Sequence, residues 1–331
     1  MSYAQADTLD PTLIPVIDIS TFGGDKSGGD KNDEQALAIA NALHAASQAL
    51  GFIYIKGHGI ADDTINNART SAYEFFQQTP ELKQQQAISS QHRGWLAQGG
   101  AKMQDDAKAD LKESYLWGYQ DSAGRTPQDH PLRGTNQWPS HLDQFEQHAM
   151  QYFNDAHRVA ETLMQGFALG LGLDKQFFLR STDKPLSRAS YVYYPAQDAS
   201  LGEDQFGVGP HTDFGVLTVL CQDTVGGLQV QDTSGRWIQA PPIDGTLIIN
   251  VADLLSRWTA GAYKSTPHRV VNSSGRERLS LVLAYDPNPD TLIDSKQIPS
   301  LDNTQAEDPI TCGDYLIWRF NKAFAYRNNN T

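Results

Sequence analysis

His211-Thr212-Asp213-Phe214-Gly215-Val216-Leu217-Thr218-Val219-Leu220 is the stretch on which the reading of this 331-residue chain turns. Val216 to Leu220 is a β-branched, apolar run of strand length, and residues two apart in extended backbone share a face. His211 and Asp213 directly precede it, so an imidazole and a carboxylate can point into one cavity. Two histidines and one carboxylate hold one face of an octahedral metal ion and leave other positions open. The second histidine has to come from a distant strand. His268, in Ser265-Thr266-Pro267-His268-Arg269-Val270-Val271, opens another strand-like run and fits that need.

H-x-D alone is weak. With 9 His and 39 acidic residues, chance supplies roughly one H-x-[DE] in a chain of this length. His141-Leu142-Asp143 is such a second match. It stands at the start of a helical pattern, where i and i+2 do not share a face, and Asp143 reads as support for a helix N-terminus. Arg278-Leu279-Ser280-Leu281-Val282-Leu283 separates the two matches. Arg278 and Ser280 share a face with Val282 and Ala284, while Leu279, Leu281 and Leu283 line the other. A guanidinium turned into a barrel needs an anion there. A small dicarboxylate, gripped bidentately by Arg278 with the Ser280 hydroxyl donating, supplies one.

From Arg188 onward, short β-rich runs alternate with turn signals, at 189–194, 215–221, 227–231, 236–239, 246–251, 268–272 and 278–285. Gly226-Gly227, Asp232-Thr233-Ser234-Gly235 and Ser273-Ser274-Gly275 punctuate them. Many short strands at this spacing predict a sandwich or jelly-roll barrel. Before them, residues 1–14 read as an arm, Pro15 to Ile19 and Gly51 to Ile55 as strands, and Gly23 to Asp33 as a loop. Ala36 to Leu50 and Ala61 to Gln78 read as helices. Residues 79–140 read as loops and short helices that overlie a site. Phe145 to Leu171 carries the clearest apolar stripe of a helix, and Tyr315 to Tyr326 reads as a closing helix.

A net charge of −13 without a long basic run argues against nucleic acid and anionic membranes as partners. No apolar stretch is long enough to span a bilayer, and residues 1–11 lack a secretory apolar region. Cys221 and Cys312 are the two cysteines, too few for a disulfide framework, so a cytoplasmic, reducing setting is expected. Monomer is the default oligomeric state.

Together these residues resemble the iron(II)/2-oxoglutarate-dependent dioxygenases of the isopenicillin N synthase-like branch. That branch shows H-x-D, a histidine some fifty to sixty residues on, then R-x-S ten residues later. Here the separations are 268 − 213 = 55 and 278 − 268 = 10. Ile14-Pro15-Val16-Ile17-Asp18, Gly51 to Ile60, Tyr193-Tyr194-Pro195, Gly227-Leu228-Gln229-Val230 and Tyr263 to Val270 also match, so the likeness covers nearly the whole chain.

The resemblance implies a mainly β fold with flanking helices, a double-stranded β-helix (distorted jelly roll, cupin-like) core. It divides the chain into an N-terminal helical and mixed region, 1–140, packed on a core of 141–331 that holds a long support helix, the β-helix and a C-terminal helix. It implies His211, Asp213 and His268 as catalytic iron ligands. Arg278 and Ser280 then hold the distal carboxylate of 2-oxoglutarate, and Tyr194 adds its hydroxyl. His58 falls in a structural turn.

The activity implied is oxidation, foremost hydroxylation, of a small-molecule metabolite with O2, releasing succinate and CO2, with ascorbate as an optional reductant. Alternatives within the fold are an iron-dependent oxidase and an ethylene-forming enzyme. A non-catalytic small-molecule binding protein is the alternative of another class. By position, Arg93, Tyr115, Trp117, Phe214, Leu283 and Phe324 are candidates for the substrate pocket, with Leu283 of the wrong parity. Arg93, Arg188 and Arg257 are candidate partners for a substrate carboxylate. Two positions depart from the branch. Val192 replaces the Asn of N-Y-Y-P, which stands near the metal-bound end of the co-substrate, and Ala252 replaces the glycine of N-x-G-D.

Overall fold

In a computed structural model the described residues are 6–7, 13–22, 30–100, 109–197, 205–272 and 274–324. Most of the N-terminal arm, the loop reading at 23–29, Ser273 and Tyr326 lie outside them. The chain runs β1 (Val16–Asp18), α1 (Asp30–Ala49), β2 (Phe52–Lys56), α2 (Asp62–Phe76), α3 (Pro80–Gln84), β3 (Gly94–Leu96) and β4 (Glu113–Gly118). It continues through α4 (Phe145–Gly170), β5 (Arg188–Tyr194), β6 (Val208–His211), β7 (Leu217–Gln222), β8 (Leu228–Gln231), β9 (Trp237–Gln239) and β10 (Thr246–Val251). It ends with α5 (Asp253–Trp258), β11 (His268–Val270), β12 (Arg278–Tyr285) and α6 (Cys312–Ala323).

Alternation of side chains builds the two layers. An eight-stranded sheet has the order β1-β2-β10-β7-β12-β5-β4-β3, and a four-stranded sheet the order β6-β11-β8-β9. On β12, Leu279, Leu281 and Leu283 face outward into a core shared with α1, α2 and α4. Tyr191 of β5 and Val219 of β7 join that core, and the Tyr152 hydroxyl of α4 donates to the Leu281 carbonyl at 3.0 Å. The opposite parity faces the small sheet. Val192, Tyr194, Val208, Leu228, Ile248 and Val270 form a second apolar cluster between the layers. The result is the distorted jelly roll, with flanking helices on the outer face of its larger sheet.

α4 is long because its apolar residues recur every three or four positions, from Phe145 through Ala149, Ala156, Leu163 and Phe167. No proline interrupts it, and it stops at Gly170-Leu171-Gly172. α6 is N-capped by Thr311, whose hydroxyl accepts from Asp314 N at 3.1 Å.

Two sequence expectations are corrected and one strand is added. The helix α1 begins at Asp30, inside the stretch read as a loop. Residues 79–140 are not only loops and short helices, since β3 and β4 extend the large sheet at one edge. Their polar residues hide them: Glu113 opens β4, half-buried and accepting from Lys83 Nζ and Trp95 Nε1 at 2.7 Å each. β6 also escapes the sequence pattern, because it contains Gly209-Pro210. Proline lacks the N–H a central strand needs, and β6 tolerates it as the edge strand of its sheet.

Among the described residues, no helix is long and apolar enough to cross a membrane. Cys221 and Cys312 are buried free thiols.

Leu281 is fully buried in the middle of the large sheet. Leu281→Ala should cost about 2–5 kcal/mol of stability, read as a lower denaturation midpoint in urea.

Candidate metal centre and active-site cavity

The end of β6 and the start of β11 are paired, with His211 opposite His268 and the ring centroids 4.3 Å apart. Asp213 follows in the segment that crosses from the small sheet to β7 of the large one. His211 Nε2 lies 3.7 Å, and His268 Nε2 3.8 Å, from the same oxygen, Asp213 Oδ1. One donor atom from each of the three lies within 4.8 Å of the others, close enough for one metal ion.

The hydrogen bonds around the cluster fix which atoms are free. His211 Nδ1 is 2.8 Å from the Gly209 carbonyl and His268 Nδ1 is 3.2 Å from that of Thr266. A carbonyl only accepts, so each Nδ1 carries the proton and each Nε2 keeps a lone pair. Asp213 Oδ2 accepts from the Thr218 hydroxyl at 2.5 Å and from Asn250 Nδ2 at 2.8 Å, leaving Oδ1 to the imidazoles.

Burial pushes His211 down to about 3, and the facing His268 imidazole adds to the shift. Burial pushes Asp213 up, but the two imidazoles and the bonds from Asn250 and Thr218 outweigh it and bring it to about 2. At neutral pH these are an unprotonated imidazole and a carboxylate. Two nitrogens and one oxygen on one side suit iron(II) with open positions.

The crossing segment is tied down on both sides. Asp253 N donates to the Asp213 carbonyl at 2.9 Å and Leu254 N to that of Gly215 at 2.8 Å. Val216 N donates to Asp286 Oδ1 at 3.0 Å. A Cβ on Gly215 would stand 2.1 Å from that oxygen, so only glycine lets the segment approach the buried carboxylate. Ala252, the departure from glycine, sits in ordinary extended backbone at φ −106°, where glycine is not required.

A cavity of about 200 Å³ opens beside the cluster, lined by both sheets and by α6. At one end lies Arg278, with none of its surface exposed. Its Nε donates to the Gly226 carbonyl at 2.6 Å, Nη2 reaches Gln222 Oε1 at 3.4 Å, and the guanidinium lies 4.6 Å from the Tyr194 ring centre. Gly226 and Gly227 make this possible with φ of +81° and +93°. Arg278 Nη1 and the Ser280 hydroxyl are buried without a partner, and no carboxylate among the described residues pairs with Arg278. An unmet buried donor costs about 1–3 kcal/mol, so this end fits an anion. Val192 lines the cavity between Ser280 and Ser114, its neighbours across β12 and β4.

Of the pocket candidates, Phe214 and Phe324 line the cavity and Arg93, Tyr115, Trp117 and Leu283 do not. Parity decides three of them. Tyr115 and Trp117 on β4 and Leu283 on β12 point to the helix side, where the Tyr115 hydroxyl donates to the Gln137 carbonyl. Arg93 is buried behind the wall, donating to the carbonyls of His92 and Leu132. Arg257 pairs with Glu307 away from the cavity, whereas Arg188 lines it. His58 caps its own turn, accepting from Ile60 N at 3.1 Å, and His141 meets Gln78. Thr218, Asn250 and Asp286 escape the sequence reading. The signal for the first two is present, since both lie on correctly read strands at cavity-facing parity.

The chain matches two family models. Residues 184–287 match the 2OG-Fe(II) oxygenase superfamily, and residues 14–141 match the non-haem dioxygenase in morphine synthesis N-terminal family. A probable iron/ascorbate oxidoreductase of Dictyostelium discoideum is 32% identical over 96% of each chain. A homoarginine-6-hydroxylase of Oryza sativa is 34% identical over 85% of this chain and 88% of its own. The crystal structure of a full-length Neurospora crassa protein in complex with alpha-KG and thymine superposes with a TM-score of 0.82 at 29% identity, over 96% of this chain and 99% of that one.

Asn250→Ala should remove one of the two hydrogen bonds that turn the Asp213 carboxylate and weaken binding of a divalent ion by about 10–100-fold, measured by titration with Mn(II).

Proposed function

The chain belongs to the 2OG-Fe(II) oxygenase superfamily and is an iron(II)- and 2-oxoglutarate-dependent dioxygenase, and we propose that His211, Asp213 and His268 hold its iron. Arg278 and Ser280 anchor the distal carboxylate of 2-oxoglutarate, with Tyr194 packed against the guanidinium. The observation that carries this reading is the pair of buried, unpartnered donors, Arg278 Nη1 and Ser280 Oγ, lining the same cavity as a cluster with two free imidazole nitrogens.

Bound iron, with 2-oxoglutarate and O2, supplies an oxidant that hydroxylates a C–H bond of a small molecule, with succinate and CO2 as co-products. The chain's own part is positional. The Gly209 and Thr266 carbonyls set the imidazole tautomers, and Thr218 and Asn250 turn Asp213. Val192, Leu228 and Val270 make the wall beside Arg278 apolar, which keeps water from competing for the guanidinium and strengthens its grip. Ser114, beside Val192 on β4, lines the cavity and can donate where the branch has an asparagine.

The unmet donors at Arg278 call for an anion, which 2-oxoglutarate supplies; oxidases of the branch retain the same Arg-Ser pair, so succinate release is what separates the two readings. In the same reading, residues 1–140 brace a catalytic core of 141–331, and the enzyme is a cytoplasmic monomer acting on a free metabolite. The acidic net charge and the two buried, unbridged thiols support it.

The test is a metabolite-library screen for substrate-stimulated succinate release. His211→Ala should reduce the signal to background. Arg278→Ala should raise the KM for 2-oxoglutarate by about 10–100-fold, since a buried charge-assisted contact contributes about 1.5–3 kcal/mol. Substrate turnover without succinate would sink the reading.

A further inference from the structure

The end of the cavity away from Arg278 carries a second arginine in a different electrostatic state. Arg188 opens β5 opposite Ala284, while Tyr194 closes it opposite Arg278. Six residues of strand separate the two ends, about 20 Å. Arg188 Nη1 donates to Asp286 Oδ2 at 2.5 Å, and its guanidinium lies 4.6 Å from the Phe320 ring centre. Asp286 is fully buried and its other oxygen takes Val216 N, so the carboxylate is fixed and the guanidinium with it. Among the described residues, Nη1 is the one guanidinium nitrogen engaged, and the side chain lines the cavity, which leaves donors for a ligand.

Charge decides what that ligand is. Among the described residues, three cations line the cavity. Lys112 is paired with Asp110 at 3.4 Å, Arg188 is paired with Asp286, and Arg278 has no carboxylate. Asp213 is the one lining carboxylate among them. With histidines neutral, iron(II) and Asp213 sum to one positive charge and Arg278 adds a second. A dianionic 2-oxoglutarate cancels both. A charged second ligand would then be buried without compensation, which is costly. Size narrows the choice further. About 200 Å³ is small beside the usual 300–1,000 Å³ of ligand pockets, and 2-oxoglutarate shares it.

We propose that Arg188, neutralised by Asp286 and seated on Phe320, selects the primary substrate, an uncharged molecule of about one ring that presents a carbonyl oxygen to the guanidinium. This rests on the proposed iron and 2-oxoglutarate sites. The apolar body of such a substrate meets Phe214, Phe324 and Leu116, and its oxygen takes the remaining Arg188 donors. A substrate carboxylate, by contrast, would add a charge that the Arg188–Asp286 pair does not balance.

The test uses the anaerobic protein loaded with iron(II) and 2-oxoglutarate. Binding of benzamide, benzoate and benzamidine, one ring with three charge states, and of uracil is read by calorimetry and by perturbation of the visible charge-transfer band. Benzamide and uracil should bind at least about tenfold more tightly than benzoate and benzamidine, a difference of about 1.4 kcal/mol. Asp286→Asn leaves Arg188 uncompensated and should move the benzamide-to-benzoate ratio at least about tenfold toward benzoate. If that variant does not fold, Arg188→Gln should weaken both neutral probes by about tenfold while the band still forms.

Benzoate binding as well as benzamide to the unaltered protein would overturn the proposal. So would the absence of any neutral-probe binding, or an unchanged ratio in a folded Asp286→Asn protein. Failure of the band to form on adding iron(II) and 2-oxoglutarate would instead count against the proposed function.

Discussion

The metal-binding cluster depends on how firmly residues 212–216 are held as they cross from the small sheet to the large one. His211 still belongs to β6, but Asp213 belongs to neither sheet. Its position comes from backbone bonds to the start of α5, from Val216 N on Asp286, and from the Thr218 and Asn250 side chains on its carboxylate. Each tie uses a different partner element, so the segment has little freedom left to lose when an ion binds. That preorganisation lets donor atoms from two sheets and the segment between them meet within 4.8 Å of one another.

The same ties explain why a charge is tolerated in the interior. Asp286 is buried, yet both of its oxygens are used, one by the Val216 amide and one by Arg188. It therefore joins the segment carrying Asp213 to the guanidinium at the other end of the cavity. Arg278 is the contrasting case, a buried cation with an unmet N–H and no carboxylate partner among the described residues. Leaving it so costs stability that the outer core has to offset. That core is continuous, with the leucines of β12 sealed under α4. Filling the Arg278 end with an anion removes the cost, so anion binding there and folding stability are linked.

Much of this is legible in the sequence. Strands at β5, β7, β8, β9, β10, β11 and β12 and the helices α2, α4 and α6 follow from apolar periodicity, because each must present one face to a core. Parity alone places Arg278 and Ser280 on one face of β12 and Leu283 on the other, as the cavity lining and outer core have it. What escapes are elements whose polar residues are satisfied by tertiary partners. β4 begins at a glutamate that only Lys83 and Trp95 make acceptable inside, and β6 contains a proline that only an edge position allows. Such partners are distant in sequence, so no local pattern announces them.

The two ends of the cavity differ in legibility for a physical reason. The Arg278 end is built from one strand and one glycine turn, so a short spacing, Arg278 and Ser280 after His268, encodes its chemistry. The opposite end is assembled from the first residue of β5, the residue after β12, the crossing segment and α6. Arg188 alone reads as a candidate for a carboxylate ligand. Only the folded chain shows that Asp286, 98 residues away, already occupies that role. The charge state of the site is thus a property of the pair, and the pair exists only once β5 and β12 lie side by side.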